Sequence, residues 1–171
     1  MATQILFTER QHFRQWWLWF LLIGLDLFFI YQLIMQVFLR QPFGDRPMSN
    51  NALISVTISL LLFTVFFRFL RLDTRIQEDG IYYRYLPFQL KYRQISWERI
   101  SQAFVRKYSP ITEYGGWGIR IGLFGKGQAF NVSGNKGLQL VYDTGKKFLI
   151  GTRRPEEIQQ VLNNLGHAPQ K

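Results

Sequence analysis

WWLWFLLIGLDLFFIYQLIMQVF, residues 16–38, decides what kind of chain this is. The run holds 23 residues and one charge, Asp26. At about 1.5 Å per residue, a helix of this length covers the ~30 Å hydrocarbon core of a bilayer with room for tilt. Trp16, Trp17 and Trp19 crowd one end, as an aromatic belt does. A second apolar run, ALISVTISLLLFTVFFRF, follows at residues 52–69, and Arg68 near its end has the reach to snorkel. The first run starts too late, and is too long and too aromatic, for a cleavable signal peptide. Between the runs lies RQPFGDRPMSNN, a short polar link rich in Pro, Gly and Asn. The reading is a transmembrane helical hairpin over 16–69, with spans at about 16–38 and 52–69.

A hairpin puts both flanks on one side of the membrane. Arg10, Arg14, Arg68, Arg71 and Arg75 lie near the membrane on the terminal side, against Arg40 and Arg46 in the link. The positive-inside rule then predicts that both termini are cytoplasmic, in a multi-pass protein of the cell inner membrane. Asp26 falls near the middle of the first span, where a charged carboxyl costs roughly 2.5–3.5 kcal/mol on insertion scales. Ser59 and Ser55 come to similar depth on the second span. The expectation is that Asp26 faces one of them, or a helix of another subunit. Packing or assembly is the favoured role, since a lone intramembrane carboxylate is a thin basis for transport.

The whole chain has 171 residues, 21 Lys+Arg against 11 Asp+Glu, 47% apolar residues and no cysteine. Disulfides, thiolate metal sites and a cysteine nucleophile are therefore excluded. His12 and His167 lie at opposite ends, so a histidine cluster for metal is excluded as well. No cofactor is expected. Glu156 and Glu157 are consecutive on a helix and diverge, which makes a poor acid/base pair. The chain reads as a non-enzyme. Its basicity is explained by a membrane more simply than by nucleic acid, because the aromatics lie largely in the spans and no nucleic-acid motif appears.

After Leu72 the hydropathy period changes to two. Thr74–Gln77, Ile81–Tyr85, Phe88–Ile95, Gln102–Tyr108, Ile119–Ile121, Gln128–Val132, Leu138–Tyr142 and Lys147–Gly151 all read as short strands. Glu78-Asp79-Gly80 and Asp143-Thr144-Gly145-Lys146 read as hairpin turns. One helix closes the series. Pro155, Glu156 and Glu157 suit its first turn, Gly166 its end, and Ile158, Val161, Leu162 and Leu165 share one face. The expected architecture is α+β. A cytoplasmic N-terminal segment (1–15) precedes the hairpin, an antiparallel β-barrel or sandwich capped by one helix spans 70–166, and a tail covers 167–171.

Short antiparallel strands followed by one amphipathic helix match the layout of the pleckstrin-homology (PH) superfold. The run YGGWGIRIG…NVSGNKGLQLVYDTGKKFLIGTRRPEEI, residues 114–158, resembles a family of small bacterial membrane proteins of unknown function. Its members have two N-terminal spans and a bacterial PH-like domain. The resemblance implies the fold. By fold analogy alone it implies binding of lipid headgroups or peptides.

Two binding hypotheses follow. In the first, the chain is a membrane-anchored scaffold or accessory subunit that docks a protein partner or a second copy of itself. Tyr114, Trp117 and Arg120 would grip that partner, as Trp, Tyr and Arg favour interfaces; the alternative is that Trp117 caps the core. In the second, the module recognises anionic headgroups. Arg68, Arg71 and Arg75 continue the second span, and each basic residue near an anionic leaflet is worth about 1 kcal/mol; they also serve as orientation charges. Lys146-Lys147 and Arg153-Arg154 flank the last strand at its two ends. Gly125-Lys126-Gly127 and Gly134-Asn135-Lys136-Gly137 offer backbone N–H groups beside a lysine, but neither matches a phosphate loop, and turn glycines explain both.

Overall fold

The computed structural model describes residues 4–42, 44–122 and 125–167. It divides into two compact units. One takes the chain up to Phe13 and again from Leu70, and the other takes Arg14–Phe69.

The first unit is a two-sheet sandwich. β1 (Ile5–His12), β2 (Arg71–Gln77), β3 (Gly80–Leu86) and β4 (Arg93–Ser96) form an antiparallel meander. Alternation sends Leu72, Thr74 and Ile76 of β2 and Ile81, Tyr83 and Tyr85 of β3 inward. Gly80 permits the tight β2–β3 turn. Its φ is 153°, and a Cβ there would collide with the Ile95 carbonyl oxygen. A 3₁₀ turn at Trp97–Arg99 then leads into β5 (Ile100–Lys107). The Trp97 indole is pinned there, donating its N–H to the Gln77 carbonyl at 3.1 Å.

The second sheet holds β5, β6 (Gly118–Ile121), β7 (Gln128–Asn131), β8 (Lys136–Tyr142) and β9 (Lys147–Gly151), in the order β5-β8-β9-β7-β6. Its pairings are antiparallel except β7 with β9, which run parallel. The inner faces of the two sheets meet through aromatic rings. Tyr83 lies 4.9 Å from Phe148 and 5.4 Å from Phe130, and Tyr85 lies 5.9 Å from Phe130, centroid to centroid. Leu138, Leu140 and Ile150 complete this core with Ile158 and Leu162 of the last helix.

A barrel alternative is thus corrected: two open sheets are present, and no pairing among the described strands closes them. The last helix packs against β5, β1 and β8. Strand Phe88–Ile95 is also shorter than expected, since residues 88–92 form a turn and loop and only Arg93–Ser96 pairs with β3.

The largest departure concerns residues 1–15. Instead of standing apart, Ile5–His12 is β1, paired along β2 from Ile5 opposite Gln77 to His12 opposite Arg71. The other unit is therefore an insertion between two neighbouring strands. That unit contains α1 (Trp16–Leu33), which continues through a π-helical turn at Ile34–Phe38, and α2 (Asn50–Phe69). Both helices are long and apolar enough to cross a membrane. Gln36 fastens the link, donating from Nε2 to the Met48 carbonyl (2.6 Å) and to Asn50 Oδ1 (2.8 Å). Two shorter helices complete the chain, α3 (Pro110–Tyr114) and α4 (Pro155–Asn164).

Candidate functional site

The outer face of the four-stranded sheet gathers more charge than any single stretch of sequence announces. On β2, Arg71, Asp73 and Arg75 point outward. Cross-strand register places Arg84 of β3 opposite Asp73 on one side and Arg10 of β1 opposite it on the other. Asp73 is only 1% exposed. Its Oδ2 accepts a hydrogen bond from Arg84 Nε at 2.8 Å. Arg71 Nε sits 2.9 Å from Oδ1, an ion contact whose angle falls outside a hydrogen bond. Tyr92 fills the space beyond. The Arg75 and Arg84 guanidiniums lie 4.3 Å and 4.4 Å from its ring centroid. Such cation–π contacts hold a guanidinium in place while leaving donors for another ligand.

Two guanidiniums thus hold one carboxylate, Arg10 and Arg75 stand on the same face without touching it, and the face carries a positive excess. At the far end of the same sheet, Asp79 is committed locally: Tyr82 donates to it at 2.6 Å and Gln94 at 3.1 Å. The Tyr82 hydroxyl is held above its ordinary titration range by that hydrogen bond. Arg71 follows the end of α2 by two residues, so β2 begins where the apolar helix stops. Arg68 lies on the last turn of α2 and is exposed.

The other predicted residues fall in separate places. Lys146 and Lys147 sit at the β8–β9 turn, while Arg153 and Arg154 sit at the opposite end of β9, ahead of α4. The two pairs do not form one anion site. Arg153 and Arg154 instead clamp β1. Arg153 donates its backbone N–H to Glu9 (2.9 Å), Nε to Ser133 (2.8 Å) and Nη2 to the His12 carbonyl (3.3 Å). Arg154 donates Nη1 to the Thr8 carbonyl (2.9 Å), pairs with Glu157 and lies over the Phe7 ring. Glu9 is buried and also accepts the Thr152 hydroxyl at 2.6 Å, and Gln11 donates to the Gly151 carbonyl at 2.7 Å.

The trio Tyr114, Trp117 and Arg120 is split. Tyr114 is 2% exposed, inside a cluster with Tyr108, Ala129 and Leu149, because α3 folds it onto the outer face of the five-stranded sheet. It is a core residue, and its expected place in an exposed anchor is corrected. Trp117 is half-buried, with its indole N–H donated to the Gly134 carbonyl at 3.1 Å. Arg120 is exposed on edge strand β6 and donates Nε to the Trp117 carbonyl at 2.9 Å.

In the helical unit, Asp26 is buried, as are Leu22 and Gln32 of α1 and Leu53 and Thr57 of α2. Ser55 and Ser59 do not join this stripe. Each lies two residues from Leu53 or Thr57, about 200° round the helix. Both are exposed, and their hydroxyls donate to the Asn51 and Ser55 carbonyls one turn back. The expected Asp26–serine contact is therefore absent, and Asp26 Oδ1 has no hydrogen-bond partner. Among the described residues, no group of three or more His, Asp or Glu side chains is placed to hold a metal ion. Neither a protein-family model nor a curated protein matches this sequence.

Proposed function

We propose that this chain is a membrane-anchored binding module whose arginine face rests on the anionic cytoplasmic surface of the membrane that holds its helical hairpin. The observation that carries the reading is the Arg10, Arg71, Arg75 and Arg84 cluster on one sheet face, beginning two residues after α2 ends. A basic residue at such a surface contributes about 1 kcal/mol, roughly fivefold in affinity. Four of them on a rigid sheet lose little side-chain freedom on binding, because Asp73 and Tyr92 already position most of them. The PH-like fold, the inner-membrane location and the cytoplasmic termini belong to the same proposal. The hairpin length and the charge difference between its flanks and its link support it.

A second reading, docking of a protein partner, is favoured by one feature. Edge strand β6 exposes Ile119 and Ile121, the latter 76% exposed, beside Trp117 and Arg120. An apolar edge with an aromatic neighbour suits strand addition by another chain.

Native mass spectrometry of the full chain, extracted in mild detergent, separates the two. The lipid reading predicts a monomer or homo-oligomer that retains phosphatidylglycerol over phosphatidylcholine. Arg10→Gln with Arg75→Gln should reduce that retention several-fold, since neither residue supplies a contact to Asp73. A stoichiometric foreign subunit with no anionic lipid would instead establish docking.

A further inference from the structure

The meander of the first sheet has two ends. The chain leaves β1 and re-enters at β2 on one of them, and the β2–β3 turn closes the other. Because β3 runs back along β2, the β3–β4 loop returns to the end where α2 feeds its chain into β2. Leu86, the last residue of β3, lies opposite Arg71, and His12 lies opposite Arg71 on the other side. Residues 87–92 therefore project past the row at which the chain arrives from the helical hairpin.

The two ends differ in chemistry. The β2–β3 turn carries Glu78 and Asp79, both exposed. The segment LPFQLKYRQ, residues 86–94, has no carboxylate. It presents Phe88 at 64% exposure and Leu90 at 73%, followed by exposed Lys91 and Arg93. A single exposed apolar side chain is ordinary, but two large ones on one loop tip with a cationic flank suit an apolar partner behind an anionic surface. The surrounding hydrogen bonds fix the tip in this form. Gln89 donates its backbone N–H to the Tyr85 carbonyl at 2.8 Å, and its Oε1 accepts the Tyr85 N–H at 3.3 Å. Arg84 Nη1 donates to the Leu90 carbonyl at 3.3 Å, and Tyr92 is held under the Arg75 and Arg84 guanidiniums. The Phe88 ring reaches the margin of the core, 6.3 Å from the Tyr85 ring, with most of its surface still outside.

We propose that the β3–β4 loop is a membrane wedge. Phe88 and Leu90 enter the boundary between headgroups and acyl chains of the leaflet that α2 leaves, with Lys91 and Arg93 at the level of the phosphates. Aromatic rings and long cationic side chains are the ordinary anchors at that depth. The partner is the apolar boundary itself, and no headgroup is selected. Tethering through α2 supplies the effective concentration, so two side chains suffice. The proposal rests on the membrane-anchored part of the proposed function and not on the lipid preference of the arginine face.

The test sets a reporter beside the wedge. In the full chain, which has no native cysteine, Lys91→Cys carries a polarity-sensitive fluorophore, and Glu78→Cys at the opposite end serves as comparison. The labelled chains are reconstituted in phosphatidylcholine nanodiscs, with and without phosphatidylglycerol. In both compositions, emission from position 91 should shift to the blue, be quenched by a nitroxide high on the lipid acyl chain and be protected from aqueous iodide. Position 78 should show the reverse. Adding Phe88→Ser and Leu90→Ser to the position-91 chain should abolish lipid quenching and restore iodide quenching. Both side chains are mostly exposed, so unchanged near-ultraviolet circular dichroism verifies that this variant is folded. Four results would overturn the proposal. These are iodide quenching without lipid quenching at position 91, lipid quenching unchanged in the double serine variant, lipid quenching confined to discs with phosphatidylglycerol, which makes a headgroup the partner, and protection from both quenchers, which assigns the loop to a protein contact. Lipid quenching at position 91 together with phosphatidylglycerol retention unmoved by Arg10→Gln with Arg75→Gln upholds the wedge and strikes the arginine reading alone. Release of the chain from carbonate-washed membranes strikes both.

Discussion

Asp73 shows how one residue organises a surface. Its carboxylate is nearly sealed from water, yet the guanidiniums it holds are only partly covered, with Arg71 and Arg84 side chains 25% and 21% exposed. Removing the carboxylate's charge leaves Arg84 and Arg71 to repel each other at the edge of the core. Asp73→Asn should therefore destabilise the full chain by roughly 2 kcal/mol in thermal unfolding, less than the loss of a fully buried pair. Arg75→Gln on the same face should stay within about 0.5 kcal/mol. A second residue-scale effect involves Glu113. Arg106 grips its carboxylate through Nη1 (3.2 Å) and Nη2 (2.9 Å), and the Ser109 N–H adds a third bond at 2.8 Å. The Arg106 hydrogen bonds hold Glu113 below the usual carboxylate range. A lowered folded-state pKa stabilises the fold above the unfolded-state pKa, and this contribution disappears as pH falls through the folded value. Acid should thus weaken the wild type below the ordinary carboxylate range. Glu113→Gln should flatten that limb and cost about 1 kcal/mol at neutral pH, the pair being partly solvated. Unfolding midpoints measured from pH 3 to pH 7 check both.

At the scale of elements, β1 is the instructive case. The strands from β2 onward are legible because inward positions are apolar and outward positions polar: Leu72, Ile76, Ile81, Leu138 and Leu140 mark the period. β1 hides because two of its inward positions are Glu9 and Gln11. Their partners, Thr152, Arg153 and Gly151, lie about 140 residues away, so nothing local explains a polar inner face. The arginine face was half legible for the same reason. Arg71 and Arg75 stand out as juxtamembrane charges, whereas Arg10 and Arg84 join them only through strand register. Tyr114 misled because its glycine-rich surroundings look exposed, while α3 turns its ring into the core. β1 also sets the limits of any soluble fragment. Residues 70–167 alone leave β2 as a bare edge and strip Glu9 from Thr152 and Arg153, and should show no cooperative thermal transition. His12 pairs with Arg71, so replacing residues 14–69 by Asn-Gly makes an ordinary β-hairpin. That chain should be soluble, with sharp near-ultraviolet circular dichroism and a single melting transition.

For the whole molecule, insertion of the helical unit between paired strands has a topological consequence. The chain leaves the sheet after β1 and returns to it at β2, so a bilayer-spanning hairpin has both its flanks on the side of the module. A module anchored in this way needs little intrinsic affinity for the surface beside it, since tethering supplies a high effective concentration. Under the proposed function its arginines then add a preference for anionic lipid rather than recruiting the module. The absence of native cysteine permits a direct test of this arrangement. Ser49→Cys marks the link between the helices, and Thr144→Cys marks the β8–β9 turn of the module. Each single variant would be exposed, in intact spheroplasts and after lysis, to a membrane-impermeant maleimide, with the protein recovered from carbonate-washed membranes. The account predicts labelling at position 49 in intact spheroplasts and at position 144 only after lysis. Labelling at position 144 in intact spheroplasts, or release of the protein by carbonate, would contradict it.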